Sequence, residues 1–395
     1  MAKSVPALIE PRVLEWARTT AGYSVESAAK KIGVKPEKLV ACESAEDRLT
    51  FSQLESAANV YKRPLAVFFL REPPVEQPPV NDFRLDPDVR ANGQGPAIRI
   101  TLRKARRLRD EALALLADVG RSPAPFPVRA QLNQNAEDVA DELRKALKVS
   151  TTATGLKSNA HAAFKARKAA AEDLGVLVFE ISRVDCAEMR GAALSYDTFP
   201  VVVINGGEAP GGKSFTLLHE LTHIALRQSS VCDLAPVPEI GPRENLERYC
   251  NAVAAACLMP RSEVARVVPR TGPHDWTFDE LAQMSKNFQV SREAFLVRLV
   301  TLGYATRDHY YAMRNAFRRE HFEYRNSLKK EDDEQSGPSP AVMAFRNLGK
   351  PFVQLVLGAY DGDRIGLSTV SDYLGVKVRH IERIRELASK AAPAT

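Results

Sequence analysis

Two hydrophobic periodicities divide the chain. Behind Ser24, residues Val25, Ala28, Ala29 and Ile32 recur at helical spacing, and Gly33 follows where a tight turn is needed. Pro36 opens a second short helix with Leu39 and Val40 facing inward. Thr50-Phe51-Ser52-Gln53 reads as a capping box for a third, with Phe51, Leu54, Ala58 and Tyr61 on one face. This succession predicts a helix-turn-helix bundle.

The next stretch is again helical, over 99–117, 136–147 and 156–174, with Gly175 as a stop. The period then shortens. Residues 176–181 and 200–204 are short runs of β-formers, and 192–196 is a plausible partner between them. Helical spacing returns in the segment around His219 and continues through 244–258, which Pro260 ends. Thr277-Phe278-Asp279-Glu280 caps a further helix carrying Leu281, Met284 and Phe288, and Ser291 opens another. From Pro340 the chain is helical again, and Val370, Tyr373 and Leu374 before Gly375 repeat the turn signal. The pattern as a whole predicts an α+β, mostly helical fold in which a small β-sheet precedes the His219 helix.

Two joints interrupt it: the proline-rich run at 72–79 and the charged, then Gly/Pro/Ser-rich run at 329–340. They suggest a helix-turn-helix domain at 1–72, a joint at 73–98, a central domain with helical flanks at 99–328, a linker at 329–340 and a C-terminal helical, helix-turn-helix-like domain at 341–395. Three units suit a length of 395 residues.

Composition narrows the setting. With 45% hydrophobic and 26% charged residues, and no apolar run near the roughly 18 residues of a membrane span, the chain reads as soluble. The N-terminus lacks a secretory signal, which points to the cytoplasm. Five cysteines without a C-x-x-C spacing argue against a disulfide framework and read as reduced and mostly buried.

The chemistry concentrates in His219-Glu220-Leu221-Thr222-His223. Residues four apart share a helix face, so His219 and His223 can present two imidazoles to one metal ion, with Glu220 beside the open coordination position. The spacing suits zinc, which lowers the pKa of a bound water so that Glu220 can act as general base. Phe215, Leu217, Leu218, Leu221, Ile224 and Leu226 surround the histidines, which implies a buried helix whose polar groups need partners. Catalytic zinc usually takes three protein ligands. Glu247 is the first candidate for the third, on a helix rich in small residues; Glu244 and His274 are others, and a solvated surface carboxylate is the alternative role for Glu247.

Several ordered segments carry a wider resemblance: Asp82-Phe83-Arg84, Glu188-Met189-Arg190-Gly191, 200–205, Phe215 to His223, Ser230-Val231-Cys232-Asp233, and the helix from Glu247 to Pro260. Over these the chain resembles the ImmA/IrrE family of metallopeptidases, in particular its longer members with an N-terminal helix-turn-helix of the XRE type. The resemblance covers most of residues 1–300. It implies a zincin-like peptidase domain holding Zn2+ through His219, His223 and Glu247, with Glu220 as general base. It also implies a protein substrate, a repressor of similar helix-turn-helix fold, whose cleavage derepresses stress-response or mobile-element genes. The chain departs from the family pattern at Cys250, where alanine is commoner, and at Val253, where phenylalanine is commoner; neither is a proposed ligand.

Charge qualifies the N-terminal domain. Residues 1–70 hold ten Lys/Arg against eight Asp/Glu, and in the recognition segment 35–45 Lys35 and Lys38 are balanced by Glu37 and Glu43. Phosphate contact needs local positive charge. Lys35 and Lys38 are the candidate DNA contacts, and the same helices could instead grip a protein, including a homologous repressor or a second copy of this chain. A regulator whose zinc site is structural or sensory is the alternative function. A denser basic row, Arg99, Arg103, Lys104, Arg106, Arg107 and Arg109, reads as a solvated helix face because no aromatic residues interleave to stack bases. The C-terminal turn, with Lys377, Arg379 and His380, reads as structural rather than as a second nucleic-acid reader.

Overall fold

The computed structural model describes residues 5–75, 95–148, 159–232 apart from 183 and 187, 242–269, 272–319 and 337–390. Most of both sequence joints, and residues 156–158 of the third predicted helix of the middle stretch, lie outside them. The chain divides into two compact units, residues 1–106 and 107–395.

In the first unit the helices Pro11–Thr20, Val25–Ile32, Pro36–Glu43 and Phe51–Tyr61 close over Leu14, Ala29, Leu39, Leu54, Tyr61 and Phe68. Ser24 Oγ accepts the Ser27 amide, Gly33 sits at φ 86°, and Thr50 and Gln53 form the reciprocal capping box. Two expected inward residues point out: Val40 is 50% exposed and Phe51 43%. The helix at 36–43 is only two turns long and turns Leu39 and Cys42 inward, which carries Val40 to the far side. Phe51 is the first residue of its helix, ahead of the turn where the buried face begins.

Only part of the basic row is a solvated face: Lys104 and Arg107 are exposed, whereas Arg99, Arg103 and Arg109 turn to main-chain carbonyls. Its helix spans Pro96–Ala117. Arg99 donates to Thr19 O at 3.4 Å and Arg103 to Lys62 O at 3.1 Å and to Tyr61 O, so two guanidinium groups cap the carbonyl ends of two helices in the first unit. In the second unit Arg109 donates to Phe199 O at 2.9 Å and Thr198 O at 3.0 Å, with its guanidinium 3.5 Å from the centre of the Tyr196 ring. Such carbonyl caps leave no trace in composition.

The second unit is built on a mixed sheet of β1 (Leu177–Ile181), β2 (Gly191–Leu194), β3 (Val201–Asn205) and β4 (Ser230–Cys232), in spatial order β1-β3-β2-β4. β1 runs parallel to β3, and β2 is antiparallel to both β3 and β4. Every residue of β2 and β3 is buried, which is why these strands read as continuous apolar runs rather than alternating ones. The helix Pro210–Ala225, which carries the histidine pair, lies on β2 and β3. Against it pack Ala160–Asp173 and Pro242–Leu258, the latter also touching Ala136–Leu147. Pro340–Leu348 lies on β1, and Phe352 of the next helix, Lys350–Asp361, meets Phe179 edge-on.

Buried charge links these elements. Glu180 on β1 accepts from Lys168 Nζ at 2.9 Å and Lys213 Nζ at 3.2 Å, and Lys168 Nζ also donates to Arg346 O at 2.6 Å. Nearby, Glu172 accepts the Lys350 amide beside Gly349, whose φ of 76° and lack of side chain make room for the carboxylate. Burial pushes the Glu172 carboxyl up to about 7 from an ordinary 4.5. A carboxyl whose folded value is raised contributes stability that is full below its unfolded value and is lost as pH rises through the folded one. Glu172 should therefore cost about 3 kcal/mol above neutrality relative to acid. Glu172→Gln keeps an acceptor for Lys350 and removes the charge. Melting curves at pH 5 and pH 8 should show the variant gaining on the parent at pH 8 by on the order of 5 °C. Equal pH dependence in the two chains would refute this.

Candidate metal centre

The helix Pro210–Ala225 starts with proline at its first turn and is buried on almost every side from Lys213 to Ala225. That burial brings His219 and His223 into the interior, both 0% exposed. Their Nε2 atoms lie 3.1 Å apart. Glu247, on Pro242–Leu258, reaches over from the neighbouring helix, with Oε2 at 3.2 Å from His219 Nε2 and Oε1 at 3.5 Å from His223 Nε2. Cys250, Val253 and Ala254 of that helix are all buried.

One donor atom from each of His219, His223 and Glu247 lies within 4.8 Å of the others, and among the described residues this is the group that could hold a metal ion. The donor set fits. Two imidazole nitrogens and a carboxylate facing a common point can all direct lone pairs at one cation, and the mixture of nitrogen and oxygen donors suits a borderline divalent metal. The electrostatics agree. Burial alone would raise the Glu247 carboxyl, but hydrogen bonds from His219 and His223 outweigh it and hold the group well below the usual carboxylate range. Burial would lower His219, yet Glu247 and Glu220 leave it raised.

Glu220 is fully buried beside this cluster, and burial raises its carboxyl. Its Oε2 accepts from Ser230 Oγ at 2.7 Å, while Oε1 has no hydrogen-bond partner among the described residues. A Cβ at Gly191 would fall 2.7 Å from that Oε1 and 2.5 Å from Thr216 Cγ2, so only glycine fits where β2 passes the carboxylate. Asn205, at the end of β3, donates from Nδ2 to Val184 O at 2.8 Å and Met189 O at 2.9 Å and fixes the segment leading into Gly191. One turn before Glu220, Thr216 donates to Glu208, which lies 3.6 Å from Arg190.

Of the residues expected from sequence, His219, His223, Glu220 and Glu247 come together. His274 packs edge-on against Trp276 at 4.7 Å and is not in the cluster. The Glu244 side chain is outside the described residues. Lys35 is exposed ahead of Pro36–Glu43 and Lys38 is half-buried on it, in the first unit. In that unit Glu43 is occupied by Arg18 at 2.7 Å. The sequence reading gave no role to Ser230 or Gly191. A glycine opening a short strand was the available signal for the second; the first stands on a three-residue strand too brief for any periodicity.

Residues 171–300 match a peptidase family model described as the IrrE N-terminal-like domain. The chain is 34% identical over 103 residues to the radiation response metalloprotease IrrE of Deinococcus radiodurans, a stretch that covers 25% of this chain and 30% of that protein. The chain thus spans less than a third of the length of this curated relative. Residues 171–300, the part of the chain that is similar to the IrrE N-terminal-like peptidase domain, contain the histidine pair, Glu220, Glu247, Gly191 and Ser230.

Proposed function

We propose that the chain is a zinc-dependent endopeptidase of the HExxH type that cleaves a protein, and that its substrate is a helix-turn-helix repressor whose loss derepresses stress-response or mobile-element genes. The observation that carries the peptidase reading is the convergence of His219, His223 and Glu247 on one point with an unshared oxygen of Glu220 beside it. Zinc held there would supply a Lewis acid and lower the pKa of a coordinated water towards 7. Glu220 Oε1 takes the proton from the attacking water and returns it to the departing amine. Burial that raises the Glu220 carboxyl suits both halves of that task, because the acid form must persist long enough to donate. The substrate class rests on the resemblance to the ImmA/IrrE family, and the cytoplasm is the setting, in keeping with free Cys42, Cys250 and Cys257.

Glu220→Gln tests it. The variant should retain the parent's metal per chain and lose cleavage of a co-expressed candidate repressor by about a thousandfold, followed by mass spectrometry of the products. Cleavage at the parental rate would end the reading.

A second reading is favoured by one observation, the Val25–Ile32 and Pro36–Glu43 helices joined through left-handed Gly33. In it the first unit binds DNA through Lys35 and Lys38 and the metal site is structural or sensory. A gel-shift with the protein's own upstream DNA decides it: absence of a salt-sensitive complex removes it.

A further inference from the structure

We infer that Ser230 keeps Glu220 off the metal, so that the glutamate serves as a base instead of a fourth ligand. The inference rests on the metal-centre reading above. Glu220 adjoins His219 in the chain and is close enough to both histidines and to Glu247 to interact with them electrostatically, yet it is not part of the three-residue donor group. A buried carboxylate has few alternatives to a nearby cation, since an ionised oxygen without water or donors is strongly disfavoured. Two features hold it aside. Ser230 Oγ, on β4, donates to Oε2 at 2.7 Å in a site where the serine is only 6% exposed, so water cannot readily replace the hydroxyl. On the other side, the glycine gap at 191 lets the carboxylate lie against the main chain of β2, with Oε1 2.7 Å from the position a Cβ would take. Ser230 is thus a positioning residue: its hydroxyl occupies one oxygen and leaves the other for proton transfer.

Removal of the hydroxyl frees Glu220 to turn onto the metal. An outer group that merely supports a site weakens metal binding when it is lost. The present arrangement calls for the opposite sign. Cobalt(II) is the probe, titrated into metal-free full-length chain against a competing chelator and followed by visible absorption. Ser230→Ala should bind cobalt about tenfold more tightly than the parent and show an altered absorption band as an oxygen ligand is added. Ser230→Thr and Ser230→Val provide a second, nearly isosteric pair in which only the hydroxyl differs: the threonine variant should match the parent and the valine variant should follow alanine. Combining Ser230→Ala with Glu220→Gln should return both affinity and spectrum to the parental values. Unchanged or weaker cobalt binding in both Ser230→Ala and Ser230→Val overturns the role of Ser230 while leaving the metal centre intact. A parent chain that takes up no cobalt would instead overturn the metal centre itself, and this inference with it.

Discussion

A His223→Ala chain should purify with almost none of the metal that the parent carries. Three residues could hold the ion, and His223 Nε2 lies 3.1 Å from His219 Nε2 and 3.5 Å from Glu247 Oε1. Loss of one of three donors leaves a two-point site, which cannot compete with water and buffer for a divalent ion. Folding is linked to that binding: a ligand at a thousandfold its dissociation constant stabilises the native state by about 4 kcal/mol. The parent should therefore melt lower after treatment with a chelator, whereas the variant should melt at one temperature with or without it. Metal per chain by mass spectrometry and paired melting curves measure both effects. Full metal content in the variant, or a parent indifferent to chelator, would remove the site from consideration.

Glu180→Ala should be among the most destabilising single changes in the second unit, although Glu180 makes no contact with the donor group. Its carboxylate receives both Lys168 and Lys213, whose side chains are 10% and 8% exposed. Without it two ammonium groups are left in the interior, and breaking a buried pair by removing one partner costs about 3–5 kcal/mol. Replacement of all three charges by Leu and Met should recover much of the loss, because it is the orphaned charge, not the absent attraction, that does the damage. Denaturant midpoints for the single and triple variants test this; a Glu180→Ala midpoint equal to the parent's would refute it.

Local signals were legible in the sequence because their physics is local. Ser24, Thr50, Thr277 and Ser291 accept amide hydrogen bonds at the helix starts where their spacing placed them, and Gly33, Gly175 and Gly375 adopt the left-handed backbone that ends a helix. The histidine pair was legible for the same reason, since a four-residue spacing is a property of one helix. What escaped depends on groups far apart in the chain. Arg109 caps carbonyls at 198–199, Lys168 meets Glu180 across a helix–strand boundary, and Ser230 finds Glu220 only once β4 has paired with β2. Val40 misled because a two-turn helix does not show by periodicity which of two adjacent apolar residues faces inward, and Phe51 because periodicity does not show where along a helix the buried face begins.

The three donors differ in their access to solvent: the His219 and His223 side chains are 1% and 0% exposed, while Glu247 is 30% exposed. A metal ion held here would meet solvent first at the carboxylate, with the imidazoles behind it. In such a centre a chelator's access would be set by Glu247, so the lifetime of a loaded state would follow the most weakly shielded donor rather than the two that define the motif.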